Sequence, residues 1–73
     1  MNLILEIKRK ENTRDWETVK SARPTKRNIQ SYKRQAKKLI EKGIYQVHLV
    51  ALTEDDPIFQ EFYYNDGTMF KMF

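Results

Sequence analysis

Between Thr25 and Lys42 the apolar residues fall at Ile29, Tyr32, Ala36, Leu39 and Ile40. That spacing gathers them into an arc of about 100° on a helix, and no other part of the chain has this period. A lone amphipathic helix has no second helix to cover its apolar stripe, so it must lie against a sheet. Its ends are marked too. Pro24 limits extension upstream, Thr25 is suited to cap the first turn, and Gly43 stands where a left-handed C-terminal residue belongs.

The flanking segments read as strands. Asn2 to Lys8 alternates, with Leu3, Leu5 and Ile7 on one face and Ile4, Glu6 and Lys8 on the other. Glu11 to Asp15 is polar enough to turn the chain, and Trp16 to Ala22 then returns as a second antiparallel strand. Ile44 to Thr53 is apolar and β-branched on both faces, as a central strand should be. The acidic run Glu54, Asp55 and Asp56, followed by Pro57, breaks it.

Ile58 to Tyr64 and Thr68 to Phe73 flank Asn65, Asp66 and Gly67, a hairpin signal because Gly67 accepts the positive φ of a tight turn. A three-residue loop sets Glu61 opposite Lys71 and Phe62 opposite Phe70, whereas a two-residue loop sets Glu61 opposite Met72 and Phe62 opposite Lys71. Charge and aromatic pairing select the first. The expected fold is α+β: a single helix packed on a small antiparallel-rich sheet, order β-β-α-β-β-β, with residues 1–73 forming one small domain.

Several function classes are excluded or disfavoured. With 73 residues the core is thin, so a large substrate cavity would compete with it for side chains. The chain has no Cys and one His, which removes Cys-His catalysis, disulfide frames and zinc fingers. Ser21 or Ser31 with His48 lacks any supporting context. His48 alternates with Val47 and Leu49 and reads first as a partly buried sheet histidine with a local partner, and second as a base or ligand. Glu54, Asp55 and Asp56 do not have the spacing of an EF-hand loop, and Gly43 and Gly67 are too few for a phosphate-cradling glycine loop. No cofactor, metal or catalytic residue is therefore expected. Met1 to Ile7 is too short an apolar run for a signal peptide, and no 18-residue apolar stretch exists, so a cytoplasmic protein is expected.

Two partial motifs do not reach a family. Gly43-Ile44-Tyr45 resembles the first half of the GIY-YIG nuclease signature, but the second half would fall on Asp56-Pro57-Ile58. Lys33-Arg34-Gln35-Ala36-Lys37 resembles the lysine cluster of double-stranded-RNA-binding domains, where the helix follows three strands and ends the domain. Here three strands are expected after it.

The charge is distributed unevenly. The chain carries a net +4, but residues 1–43 hold 13 Lys and Arg against 5 Asp and Glu, and residues 44–73 hold 1 against 5. Such asymmetry points to an anionic partner or to internal neutralisation between the halves. From Lys26 to Lys42 there are seven cations, Lys26, Arg27, Lys33, Arg34, Lys37, Lys38 and Lys42, against Glu41 alone. Helix N-termini favour Asp or Glu in the first turn, yet here Lys26 and Arg27 occupy it, with Arg23 and the Thr25 hydroxyl beside them. Arg23, Thr25, Lys26, Arg27, Lys33, Arg34, Lys37 and Lys38 are thus the candidate anion-binding residues, facing DNA or RNA phosphates or an acidic protein surface.

A second candidate surface comes from the hairpin. If Phe62, Tyr64, Phe70 and Met72 share the core face with Ile58, then Phe59, Tyr63, Met69 and Phe73 form an aromatic patch around Glu61 and Lys71 on the other face. Unless Met1, Ile4 or Trp16 covers it, that patch would serve a homodimer or another protein, in the manner of an inhibitor or accessory module, including one encoded by a mobile element. The expected function is non-enzymatic binding of nucleic-acid phosphates with weak sequence specificity, with protein interaction as the alternative.

Overall fold

The computed structural model describes residues 2–53 and 56–72, apart from the side chains of Thr53 and Asp56. The readings that placed Glu54 and Asp55 in a strand-ending loop, Met1 as a cover and Phe73 in a surface patch lie outside the described residues.

The elements are β1 (Asn2–Arg9), β2 (Asn12–Ala22), α1 (Lys26–Glu41), β3 (Gln46–Thr53), β4 (Asp56–Tyr64) and β5 (Met69–Met72). The strands form one sheet in the order β2-β1-β3-β4-β5, and every neighbouring pair is antiparallel. This is the expected α+β order, with the helix between the second and third strands.

β1 forms as its alternation requires. Leu3, Leu5 and Ile7 are buried, and they sit opposite Ala51, Leu49 and Val47 of β3. These six side chains meet Tyr32 and Ala36 of α1, with Ile29, Leu39 and Ile40 packed around them. The core is therefore one layer between the helix and the three middle strands.

The helix ends where side-chain chemistry stops it. Thr25 Oγ1 accepts the Asn28 N–H at 3.1 Å, and Asn28 Nδ2 donates to the Arg23 carbonyl at 2.9 Å. At the other end Gly43 has φ +99°; its N–H donates to the Ile40 carbonyl and the Ile44 N–H donates to that of Leu39, a Schellman closure. Ile44 is thus spent on closing the helix and packing on the core, and β3 starts at Gln46 rather than at Ile44.

Two strands, β2 and β4, begin earlier than the sequence reading places them. β2 begins at Asn12, so most of the polar stretch 11–15 is strand; only Lys10 and Glu11 turn the chain. An edge strand exposed on both faces carries no apolar alternation to reveal it. Pro57 lies inside β4 instead of ending a strand. It sits beside the register shift between Ala51 and Leu52, beyond the stretch that β5 pairs, where a missing N–H is tolerated.

The hairpin register is as expected, with Glu61 opposite Lys71 and Phe62 opposite Phe70. Its faces are the reverse of the expectation. β3 pairs Val47 with Tyr63, Leu49 with Glu61 and Ala51 with Phe59, which turns Phe59, Glu61 and Tyr63 toward the helix. Tyr63 is 5% exposed and Phe59 packs on the core, while Phe70 and Met72 are 54% and 46% exposed. The reversal is possible because the helix supplies a lysine for the carboxylate that it covers.

Candidate functional site

The carboxylate in question is Glu61, 1% exposed. Its Oε1 accepts the Tyr63 hydroxyl at 2.5 Å, and its Oε2 lies 3.6 Å from Lys33 Nζ and 3.7 Å from Lys71 Nζ. Burial, reinforced by the hydrogen bond to Glu61 and by its charge, pushes the Tyr63 hydroxyl above the ordinary phenol range. Lys33 also lies over the Phe59 ring at 5.4 Å. Lys33 therefore belongs to the underside of the helix, and it leaves the set of freely presented cations.

The other candidate cations stay outside. Arg23, Thr25, Lys26, Arg27, Arg34, Lys37 and Lys38 are all exposed, and the first turn of α1 contains no acid. The Thr25 hydroxyl is engaged by its capping bond. Among the described residues the ion pairs are Arg9 with Glu17, Lys33 and Lys71 with Glu61, and Glu6 with His48 when the imidazole is charged. None of these involves Arg23, Lys26, Arg27, Arg34, Lys37 or Lys38. Among the described residues, internal neutralisation by the acidic half therefore reaches Lys33 and not the outer face.

On a helical wheel Arg27, Arg34 and Lys38 fall within an arc of about 40° opposite the apolar stripe. At 1.5 Å per residue they form a line about 16 Å long. Three cations in a row with no carboxylate between them can follow a chain of phosphates, and their flexible stems can adapt to its spacing.

The hairpin surface differs from its expected composition. Phe59 and Tyr63 are inward. Met69, 47% exposed, lies on the same side of the sheet as Tyr63 at the margin of the helix, while Phe70 and Met72 are exposed on the opposite side. Between the C-terminal half of α1 and the hairpin lies an open crevice of about 250 Å³, lined by Lys37, Ile40, Tyr63, Tyr64 and Met69 among others. The turn that carries these residues is held by Asp66, which accepts the Thr68 N–H and hydroxyl at 2.9 and 2.6 Å. Those bonds hold the Asp66 carboxyl below the usual carboxylate range.

The helix-free face of the sheet bears a cluster that the sequence reading did not assemble. His48 Nδ1 lies 2.6 Å from Glu6 Oε1 and its Nε2 lies 3.0 Å from Gln60 Oε1, so one imidazole ties β1, β3 and β4 together. The ring stacks on Phe62 at 4.3 Å, Trp16 leans on both, and Lys8 sits 4.5 Å above the Trp16 ring. His48 is thus a sheet histidine with local partners. The signal was present in the alternation that set Glu6, His48 and Phe62 on one face, but it needed the strand order to become legible.

Among the described residues no group of three His, Cys, Asp or Glu gathers to hold a metal, and no helix is long and apolar enough to cross a membrane. Comparison with protein families, with curated protein sequences and with solved structures returns no match for this chain.

Proposed function

We propose that the protein is a small, non-enzymatic binding module that engages nucleic-acid phosphates through the outer face of α1 and the basic residues at its N-terminus. The observation that carries this reading is the division of the helical cations. Lys33 is matched to a buried carboxylate, whereas among the described residues Arg27, Arg34 and Lys38 have no acidic partner and stand in line on the solvent side. A face kept only for solubility needs no such alignment and gains from interspersed acids. Lys and Arg without a base-reading arrangement imply contacts to phosphate and weak sequence preference.

The test is salt-titrated binding to single-stranded DNA, duplex DNA and duplex RNA. Four phosphate contacts on duplex DNA give a log-log salt slope of about −3.6, and removing two of them in Arg27→Gln/Arg34→Gln brings it to about −1.8. Binding that ignores salt, or that keeps its slope in the double variant, refutes the reading. The alternative, protein interaction, is favoured by one observation: Met69, Phe70 and Met72 are each about half exposed on the last strand.

A further inference from the structure

We infer that the protein pairs with a second copy of itself through the free edge of β5, in an antiparallel register centred on Phe70. This inference is independent of the nucleic-acid reading.

The two edges of the sheet are unlike. β2 is the long edge. It is polar, carries Arg14, Asp15, Glu17 and Lys20, and is interrupted by register shifts against β1, all devices that discourage further pairing. β5 is blunted only by its shortness and by Lys71, and its described pairing with β4 has no register shift. It is four residues long, exposed throughout, and presents Met69, Phe70 and Met72.

The direction of its backbone groups follows from the turn. The Tyr64 N–H donates to the Thr68 carbonyl at 3.0 Å, which makes 64 and 68 a hydrogen-bonded pair. Alternation along an antiparallel ladder then makes Phe62 with Phe70 and Gln60 with Met72 the bonded pairs. The N–H and C=O groups of Met69 and Lys71 therefore point away from β4, and among the described residues they have no partner at the edge.

A second β5 can satisfy them in few ways. A two-fold axis at residue 71 sets Lys71 against its own copy, a like-charge pair. An axis at residue 69 pushes half of the pairing onto the turn. An axis at residue 70 bonds Met69 to the partner's Lys71 and Lys71 to the partner's Met69, four hydrogen bonds in all. It also sets Phe70 against the partner's Phe70 in the closer, non-hydrogen-bonded position. This register separates the lysines and buries the most exposed aromatic ring of the described residues at the axis. The pairing is isologous, so it closes at two copies.

Sedimentation equilibrium of the full chain tests it. The contact is small, so the expected dissociation constant is about 1–100 μM. Phe70→Glu, an exposed position that the fold does not need, should weaken association by about 100-fold because the axis applies the change twice. Phe70→Lys should do the same. An equimolar mixture of the two variants should recover association, since Glu and Lys then meet across the axis. A wild-type chain that remains monomeric at about 1 mM, a Phe70→Glu chain that dimerises undiminished, or a mixture that stays monomeric while both variants fold overturns the inference.

Discussion

Replacing Glu61 by Met removes a fully covered carboxylate and leaves its three partners in different situations. The Lys33 and Lys71 side chains are 28% and 52% exposed, so their ammonium groups can turn to water, and the loss of such pairs costs about 0–1 kcal/mol. The Tyr63 hydroxyl has no such escape. Its residue is 5% exposed and Glu61 is its acceptor, so the hydroxyl is orphaned at about 1–3 kcal/mol. Relief of the carboxylate's desolvation offsets part of this, and we expect a net loss of about 1–2 kcal/mol. For a chain of this size the total stability is roughly 4–11 kcal/mol, and the midpoint temperature falls by about 4–16 °C. Adding Tyr63→Phe removes the orphaned hydroxyl and should return the double variant to within about 0.5 kcal/mol of wild type, although Tyr63→Phe alone costs about 1 kcal/mol. Urea unfolding followed by the fluorescence of Trp16, the single tryptophan, reads these differences as midpoints at constant slope. A double variant whose loss equals the sum of the two single losses would falsify the reasoning.

Lys33→Gln should lower stability without changing the salt slope of nucleic-acid binding, while Arg34→Gln should flatten the slope without changing the urea midpoint; the two variants measured side by side check the division of the cations. Because the folded state holds the Tyr63 proton more tightly than the unfolded chain does, stability is intact below the unfolded value near 10 and is lost as pH rises beyond it, by up to about 1.4 kcal/mol per unit. Tyr63→Phe should abolish that part of the alkaline decline in a pH series of urea midpoints. Gly43→Ala meets no atom within 4 Å, so its cost is backbone strain at φ +99° alone, about 1–2 kcal/mol by thermal unfolding.

The helix and β1 were legible because each presents a contrast, apolar residues at one period and charged residues between them. The hairpin register was legible for a similar reason, since Glu61 and Lys71 act as labels. Its face was not. Ile58, Phe59, Phe62, Tyr63, Phe70 and Met72 make both sides of β4 and β5 apolar, so alternation is silent and the charged pair favours the solvent side by default. The deciding group was Lys33, contributed from a distant element. On the wheel it lies only about 20° beyond the apolar stripe, closer than any other lysine of the helix, which was the available hint that it turns inward. The outer cations were legible because they need nothing from the rest of the fold. The cluster of Trp16, His48 and Phe62 was not, because it takes one side chain from each of three strands.

The helix rests mainly on β1, β3 and β4, and the edge strands β2 and β5 are held chiefly by their neighbouring strands, with Trp16 of β2 reaching across to His48 and Phe62. In terms of amide exchange this divides the molecule into a slow centre and two fast margins. Protons on β1 and β3 should exchange only with global opening, while those of β2 and β5 should escape through local fraying. Such margins can be rewritten, lengthened or lent to another chain at little expense to the centre. The surface character of the protein can therefore change faster than its fold.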